Sequence, residues 1–340
     1  MADIFAITTR GLEQVSAQEI AAIPGTIIKT VAYRRVEAAC KDINALANLR
    51  TVDDVFLKLQ TWLSVGHQRS ELARFTTLST ELGLDSLFSL IKRLRPLTRT
   101  PRFSVTANFV GKRNYSAPEI KASVADGILS RYDEWRYSED DEESEINLRV
   151  FIDHDTAVVG MRLFKHPLHR RDYKIDHLPG SLKPPIAAAL AQLATVQADT
   201  TILDPFCGGG TILVEAALMG AKVIGGDVSL DAVIKAQENA LSASVKAAVH
   251  QWDAAHLPLA TGLVDGVLSN LPWGRQVAVD ENLKLLYQAA LAEMRRVVKP
   301  GGQILLLTTH PELLDVKPAE EIEISLYGQT PKIIRLINRE

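Results

Sequence analysis

The sequence predicts an α/β protein. A parallel sheet with helices on both faces, ending in an antiparallel strand pair, is expected in the carboxyl-terminal half, preceded by an α+β region. Three observations carry this. Past Pro179, apolar strand-like runs alternate with helical segments. The last two such runs stand too close together for a parallel crossover. The first half mixes alternating runs and helical stretches without that regular order.

The opening segment, DIFAITTRGLEQVSAQEIAAI, reads strand, turn, helix, with Leu12, Val15, Ile20 and Ile23 at roughly helical spacing. IIKTVAYRRVEAAC has strand-like content, and DINALANLR and STELGLDSLFSLIKRLR are expected to be helical. RFSVTANFVG alternates Phe103, Val105, Ala107 and Phe109 as a half-buried strand should. APEIKASVADGILSRY carries proline at a helix start, and INLRVFIDHDTAVVGMRL is expected to be a hairpin turning at Asp153 to Asp155. From Pro179, LKPPIAAALAQLATV is an alanine-rich helix. The strands TILDPFC, KVIGGDV, AAVHQWDA, VDGVLSNL and QILLLTT follow, with GTILVEAALMG, LDAVIKAQENALSAS and ENLKLLYQAALAEMRRVV as helices among them. EEIEISLYG and PKIIRLINR are separated only by a short polar turn around Gln329 to Pro331, so they should pair antiparallel.

With 340 residues, 46% hydrophobic and 23% charged, the chain fits a folded globular protein of two or three domains. The start MADIFAITTRGLEQ lacks a targeting pattern, and no run approaches eighteen apolar residues, so a cytoplasmic, non-membrane location is expected. Cys40 and Cys207 are far apart and form no C-x-x-C spacing, which disfavours a disulfide framework or a zinc site. His166, His169 and His177 cluster without a carboxylate at ligand spacing; a solvated or RNA-facing role is preferred, and no metal is expected. Net charge is −3, but residues 1–175 carry 25 basic against 23 acidic residues, and eight of those acids lie between Asp133 and Glu145. Without that stretch the half stands at 24 basic against 15 acidic. A run of like charge of this sort is most often a solvated loop.

In open α/β sheets, ligands bind beyond the carboxyl ends of the strands. The first strand of the second half ends in DPFCGGGT, Asp204 to Thr211, where glycines let backbone amides approach a ligand just before a helix N-terminus. It is neither G-x-G-x-x-G nor a P-loop, which disfavours NAD and nucleoside triphosphates. Asp227, about twenty residues on, is placed to take both hydroxyls of a ribose, and Asp253 to accept from an adenine amino group. Each acid taken singly can be only a helix cap. The fourth strand ends in SNLPWG. The Asn270 carboxamide oxygen and the Leu271 carbonyl can hold the hydrogens of a nucleobase amine, aiming its lone pair at a methyl donor. Pro272 stiffens the loop, and Trp273 stacks on a base taken out of its helix. Taken alone, NLPWG is also compatible with an ordinary loop carrying a packed tryptophan.

These residues resemble the amino-group methyltransferases with an N/D-x-P-aromatic signature. TTRGLE, VVGMRLFKHPLHRRDYK and LPGSLKPPIAAAL resemble the THUMP-domain RNA methyltransferases. The resemblance implies an N-terminal ferredoxin-like domain over 1–60 and a THUMP RNA-binding domain over 61–165. A linker and leading helix would cover 166–198, and a Rossmann-like class I methyltransferase domain 199–340. It implies S-adenosylmethionine as cofactor, contacted by Asp204, Phe206, Cys207, Gly208, Gly210, Thr211, Asp227, Asp253, Ala254 and Asn270. Asn270, Leu271, Pro272 and Trp273 would form the methyl-transfer loop. It implies N2-methylation of a guanosine in tRNA, in the acceptor-stem region, with Lys112, Arg113, Arg162, Lys165, Arg170, Arg171 and Lys174 on the RNA and no obligate protein partner. Two positions depart from the family pattern: Leu271 stands where many relatives have proline, and Gly210 where serine is common. The rival readings are a ribosomal RNA guanine-N2 enzyme, an adenine-N6 enzyme, and a non-catalytic RNA-binding protein on the same fold. The S-G-G-x-D-S loop of a thiolation domain is absent.

Overall fold

The computed structural model describes residues 1–175, 178, 180–274 and 281–339. Its contacts divide the chain into two units, Met1–Thr8 with Ala17–Leu168 and Thr9–Ser16 with His169–Glu340.

The first unit is built on an eight-stranded sheet in the order β2-β3-β1-β4-β8-β7-β5-β6. Its strands are β1 (Ala2–Thr8), β2 (Thr26–Ala32), β3 (Arg35–Cys40), β4 (Val52–Trp62), β5 (Arg102–Phe109), β6 (Arg136–Tyr137), β7 (Ile146–Asp153) and β8 (Thr156–Arg162). The helices are α1 (Glu13–Ala21), whose first turn belongs to the other unit, α2 (Glu71–Thr80), α3 (Leu84–Leu94) and α4 (Ala117–Arg131). The β7–β8 hairpin turns where expected, with Asp153 opposite Thr156. Helix α4 starts on a full capping box, Ser116 and Glu119 satisfying each other's backbone amides, with proline in the first turn.

Two expectations change here. DINALANLR forms only a one-turn 3₁₀ helix, Ala45–Asn48, because the chain must enter β4 directly after it. Strand β4 itself has no alternating pattern. It is central, pairing with β1 on one side and β8 on the other, so residues on both its faces are buried and Asp54 sits among them. The boundary expected between residues 60 and 61 therefore falls inside a strand, and the two α+β regions share one sheet.

The second unit carries a seven-stranded sheet in the order β11-β10-β9-β12-β13-β15-β14. Its elements follow the expected alternation: α5 (Pro184–Leu193), β9 (Thr201–Asp204), α6 (Thr211–Leu218), β10 (Lys222–Asp227), α7 (Leu230–Ser242) and β11 (Ala247–Gln251). Then come β12 (Val264–Asn270), α8 (Glu281–Val297), β13 (Val298–Thr308), β14 (Glu320–Glu323) and β15 (Lys332–Ile337). Strands β9 to β13 are parallel, and β15 inserts antiparallel between β13 and β14, as the short turn demands. Residues Pro184 to Ala191 of α5 are all buried, which is why that helix is apolar all round.

The segment Thr9–Ser16 completes this unit. Leu12 and Val15 are buried in its core, Arg10 pairs with Glu323 at 3.3 Å, and the Arg10 carbonyl accepts from the Ser325 amide at 3.1 Å. Gly11 makes the approach possible: its φ is +92°, and a Cβ there would stand 2.0 Å from the Glu323 carbonyl oxygen. Gly11→Ala is therefore expected to destabilise the second unit by about 1–3 kcal/mol through overpacking and a disfavoured φ. Urea unfolding checks this, and an unchanged midpoint refutes it. Among the described residues no helix is long and apolar enough to cross a membrane.

Candidate active site

Because β10, β9 and β12 lie side by side and parallel, their carboxyl ends gather Asp227, Asp204 and Asn270 along one edge of the sheet, at the point where strand order reverses. The loop after β9 is pinned by its own backbone. The Cys207 amide donates to the Gly226 carbonyl at 2.9 Å, and the Gly210 amide to the Cys207 carbonyl at 2.8 Å. Gly208 and Gly210 hold φ of +50° and +75°. A Cβ on Gly208 would meet nothing within 4 Å, whereas one on Gly210 would stand 2.9 Å from the Ala236 Cβ. The loop thus presents bare backbone outward at Gly208 and packs closely on α7 at Gly210.

Asp227 closes this cradle. One carboxylate oxygen accepts from the Gly208 amide and the other from the Ser229 amide, both at 3.0 Å. The cap of α7 is Ser229, whose hydroxyl accepts from Ala232, so Asp227 is not spent as a helix cap. A carboxylate offers about four acceptor sites, which leaves capacity for two ribose hydroxyls. Asp253, two residues past β11, accepts from the Ala255 amide at 2.9 Å; that bond, helped by His256, holds its pKa below the usual carboxylate value.

Asp204 departs from the expected role. Its side chain is buried and accepts from the Ser269 hydroxyl at 2.7 Å and the Phe206 amide at 3.2 Å, tying the end of β9 to the end of β12. It acts as an internal strut, with its Oδ1 taken up by Ser269 and Phe206 and almost none of its side chain exposed. The side chains of Cys207, Thr211 and Ala254 are also buried, which leaves their backbone as the route to a ligand, while Phe206 is half-buried. Burial also pushes the Cys207 thiol well up, which removes thiolate chemistry.

Desolvation lifts the Asp204 carboxyl from 3.8 to about 7, against the lowering effect of its bonds to Ser269 and Phe206. The folded chain therefore keeps this proton to near neutrality, while the unfolded chain releases it near 3.8. The resulting stability is complete below the unfolded value and is lost as pH rises through 7. Asp204→Asn keeps an acceptor for Ser269 and Phe206 but cannot ionise. It is expected to remove a few kcal/mol, to order of magnitude, of the fall in unfolding free energy between about pH 4 and pH 7. Urea titrations at several pH values test this, and an unaltered slope rejects it.

The loop after β12 ends the edge. The Leu271 amide still pairs with the Leu307 carbonyl at 3.0 Å, and its side chain is buried. Beyond it the Pro272 carbonyl accepts from the Tyr287 hydroxyl at 2.7 Å. Asn270 Oδ1 and Trp273 Nε1 are buried atoms with no hydrogen-bond partner among the described residues.

Three supporting residues escape sequence inspection. Asn239, buried on α7, donates to the Gly209 carbonyl at 2.9 Å and accepts from the Ile175 amide at 3.1 Å. Trp252 donates to the Pro205 carbonyl at 3.3 Å. Tyr287 is the third. Asn239 had a visible signal, a polar residue at helical spacing within the apolar stripe Ala232, Ala236 and Ala240.

The expected RNA residues divide. Arg162 is buried between Asp54 at 2.7 Å and Asp141 at 2.6 Å. Arg113 is half-buried, donating to the Gly66 and His154 carbonyls and the Tyr115 hydroxyl. Arg171 pairs at 3.2 Å with Glu215, whose side chain is fully buried, and Lys174 donates to the Leu182 carbonyl at 2.5 Å. These four cations satisfy internal acceptors and hold loops, so they leave the RNA set. Lys112, Lys165 and Arg170 are exposed. His177 lies outside the described residues. Among the described residues no three His, Cys, Asp or Glu gather at a metal-binding distance.

The acidic stretch also acquires a structure. Asp141 accepts from Ser104, Asn147 and Arg162, Glu143 pairs with Arg102, and Glu145 accepts from the Thr98 amide and hydroxyl. Six of its eight acids are exposed, so it is largely the solvated loop expected; Asp141 reaches the buried Arg162.

A THUMP domain model matches residues 84–162, and the UPF0020 model, an RMKL-like methyltransferase domain, matches residues 171–323. The tRNA (guanine(6)-N2)-methyltransferase of Thermus thermophilus is 34% identical over 221 residues, which are 62% of this chain and 63% of that protein. The tRNA (guanine(6)-N(2))-methyltransferase THUMP3 of Bos taurus is 32% identical over 61% of this chain and 44% of its own. The U6 snRNA (guanine-N(2))-methyltransferase THUMPD2 of Bos taurus is 34% identical over 51% of this chain and 34% of its own. The chain thus spans less than two thirds of the length of these curated relatives. The crystal structure of TrmN from Thermus thermophilus superposes with a TM-score of 0.81 at 26% identity, covering 100% of both chains. Residues 84–162 are therefore a THUMP domain and residues 171–323 an RMKL-like methyltransferase domain on the α/β methyltransferase fold, as the motifs implied.

Proposed function

We propose that the protein transfers a methyl group from S-adenosylmethionine to the exocyclic N2 amine of a guanosine in tRNA, in the acceptor-stem region. The observation that carries this reading is the Asn270 carboxamide oxygen, buried and without a hydrogen-bond partner among the described residues, at the carboxyl edge of the sheet beside the glycine cradle. An orphaned buried acceptor costs about 1–3 kcal/mol, which a ligand hydrogen would repay.

In this reading the backbone at Phe206 to Gly210 and at Thr211 and Ala254 lines the cofactor, Asp227 takes the ribose hydroxyls, and Asp253 accepts from the adenine amine. The cofactor supplies, when bound, a methyl group on a positively charged sulfur that leaves as a neutral thioether. Asn270 Oδ1 and the Leu271 carbonyl hold the two hydrogens of the guanine amine, turning its delocalised lone pair toward the methyl group. Pro272 limits loop motion and Trp273 stacks on the base. As the new nitrogen–carbon bond forms, one of the two amine hydrogens leaves as a proton to water; no strong base is required, because the nitrogen becomes strongly acidic once methylated and orientation supplies most of the rate. Exposed Lys112, Lys165 and Arg170 would meet RNA phosphates electrostatically. The guanine-N2 names of the relatives in Thermus thermophilus and Bos taurus support the reaction, and two of the three support tRNA.

The test is incubation with labelled S-adenosylmethionine and separate pools of unmodified tRNA, ribosomal RNA and U6 snRNA, followed by nucleoside analysis. N2-methylguanosine in tRNA alone is the expected result. Label in another RNA, or as N6-methyladenosine, overturns the substrate assignment, and no label anywhere favours a non-catalytic RNA-binding protein.

A further inference from the structure

We infer that Tyr287, with Thr308, is a positioning residue that holds the Asn270–Trp273 loop in its methyl-accepting geometry by fixing the Pro272 carbonyl. The inference rests on the functional reading above. The Leu271 amide makes a bond to β13 at the Leu307 carbonyl, and the chain then leaves the sheet toward Trp273. Beyond that point the orientation of the Pro272 peptide unit is decided by whatever binds its carbonyl, and the same peptide plane carries the Trp273 amide.

The bond comes from α8. The Tyr287 hydroxyl lies 2.7 Å from the Pro272 carbonyl oxygen and 2.8 Å from the Thr308 hydroxyl. A carbonyl oxygen only accepts, so the single phenolic hydrogen goes to Pro272. The Thr308 hydroxyl must then donate to the phenol oxygen, while its own oxygen accepts from the His310 amide at 2.9 Å. Every hydrogen in this chain has one consistent direction, from His310 through Thr308 and Tyr287 to Pro272. Tyr287 is almost fully buried, in one hydrophobic cluster with Leu283, Leu291 and Met294, so the hydroxyl is held by packing as well as by its two bonds. Burial also lifts its pKa to about 12, which keeps the donor hydrogen in place at every working pH.

Such an anchor acts on turnover and leaves affinity largely alone. Among the described residues the hydrogen bonds of Tyr287 go to Pro272 and Thr308 and to none of Asp227, Asp253 or the glycine cradle, whereas the acceptors of the guanine amine lie one and two residues before the fixed carbonyl. A displacement of the order of 1 Å there costs about a hundredfold in rate.

The experiment compares the full-length protein with Tyr287→Phe, Thr308→Val and the double variant. Turnover in Tyr287→Phe is expected to fall about 10- to 100-fold. The KM for S-adenosylmethionine and the Kd for RNA should stay within about twofold, while the thermal midpoint falls by a few degrees because the Pro272 carbonyl and the Thr308 hydroxyl lose their buried partner. Thr308→Val should lose less, and the double variant should be no worse than Tyr287→Phe, because both act through one bond. Amide exchange of Leu271, whose amide pairs with the Leu307 carbonyl where the loop leaves the sheet, should quicken about five- to tenfold in Tyr287→Phe, with the β13 amides unaltered. Unchanged exchange at Leu271 overturns the inference, as does a loss of cofactor binding in step with turnover. A wild-type protein that methylates none of the RNAs overturns the functional reading instead, and the exchange comparison still decides whether Tyr287 holds the loop.

Discussion

Asn270→Ala should lower turnover by about 10²- to 10³-fold, the cost of removing one preorganised group aimed at a reacting centre. Its signature is what it leaves alone. The Asn270 carboxamide oxygen accepts no hydrogen bond among the described residues, so its removal strands no donor there. Relief of a buried orphan acceptor is worth about 1 kcal/mol, so the unfolding midpoint should hold or rise slightly. Affinity for S-adenosylmethionine should change by less than about threefold, because the cradle from Phe206 to Gly210 and Asp227 is held by its own bonds. Single-turnover kinetics, cofactor titration and urea unfolding on one preparation test this. A joint loss of rate, affinity and stability would make Asn270 a folding residue and remove the main support for the proposed chemistry.

Arg162→Ala should destabilise the first unit by about 3–5 kcal/mol, because it leaves Asp54 buried without its counter-charge. Desolvation already raises the Asp54 pKa, with Arg162 offsetting it in part. Removing the arginine raises it further, so the loss should be smaller at pH 5, where Asp54 is more readily protonated, than at pH 8. Pairing the change with Asp54→Asn should recover part of the stability. An RNA-contacting arginine would behave otherwise: tRNA affinity and its salt dependence would fall while the unfolding midpoint stayed put. That second outcome would return Arg162 to the RNA face.

These two residues mark where sequence inspection succeeds and fails. Asn270 is legible because its neighbours in the chain, Leu271 to Gly274, and its order after Asp204, Asp227 and Asp253 are local facts. Arg162 reads as a surface cation because its partners, Asp54 and Asp141, are 108 and 21 residues away. The same holds for Arg171 with Glu215, 44 residues on. Burial of a charge depends on partners that no window of the sequence contains.

The sequence by itself determined the alternation of β9 to β13 with their helices, the antiparallel ending at β14 and β15, the hairpin of β7 and β8, and the ordered acids and amide at the strand ends. Each follows from a period, a turn length or a strand terminus, all of which are short-range quantities. Tertiary structure decided the rest: that β4 runs through an expected domain boundary, that Thr9–Ser16 completes the methyltransferase unit, and that Asp204 is a strut. It also decided that Asp141 of the acidic stretch pairs with the buried Arg162 and that Tyr287 holds the Pro272 carbonyl. In every one of these the deciding contact joins residues distant in the chain. Its free energy comes from desolvation and from filled hydrogen-bonding capacity, which exist only once the sheet has brought the partners together.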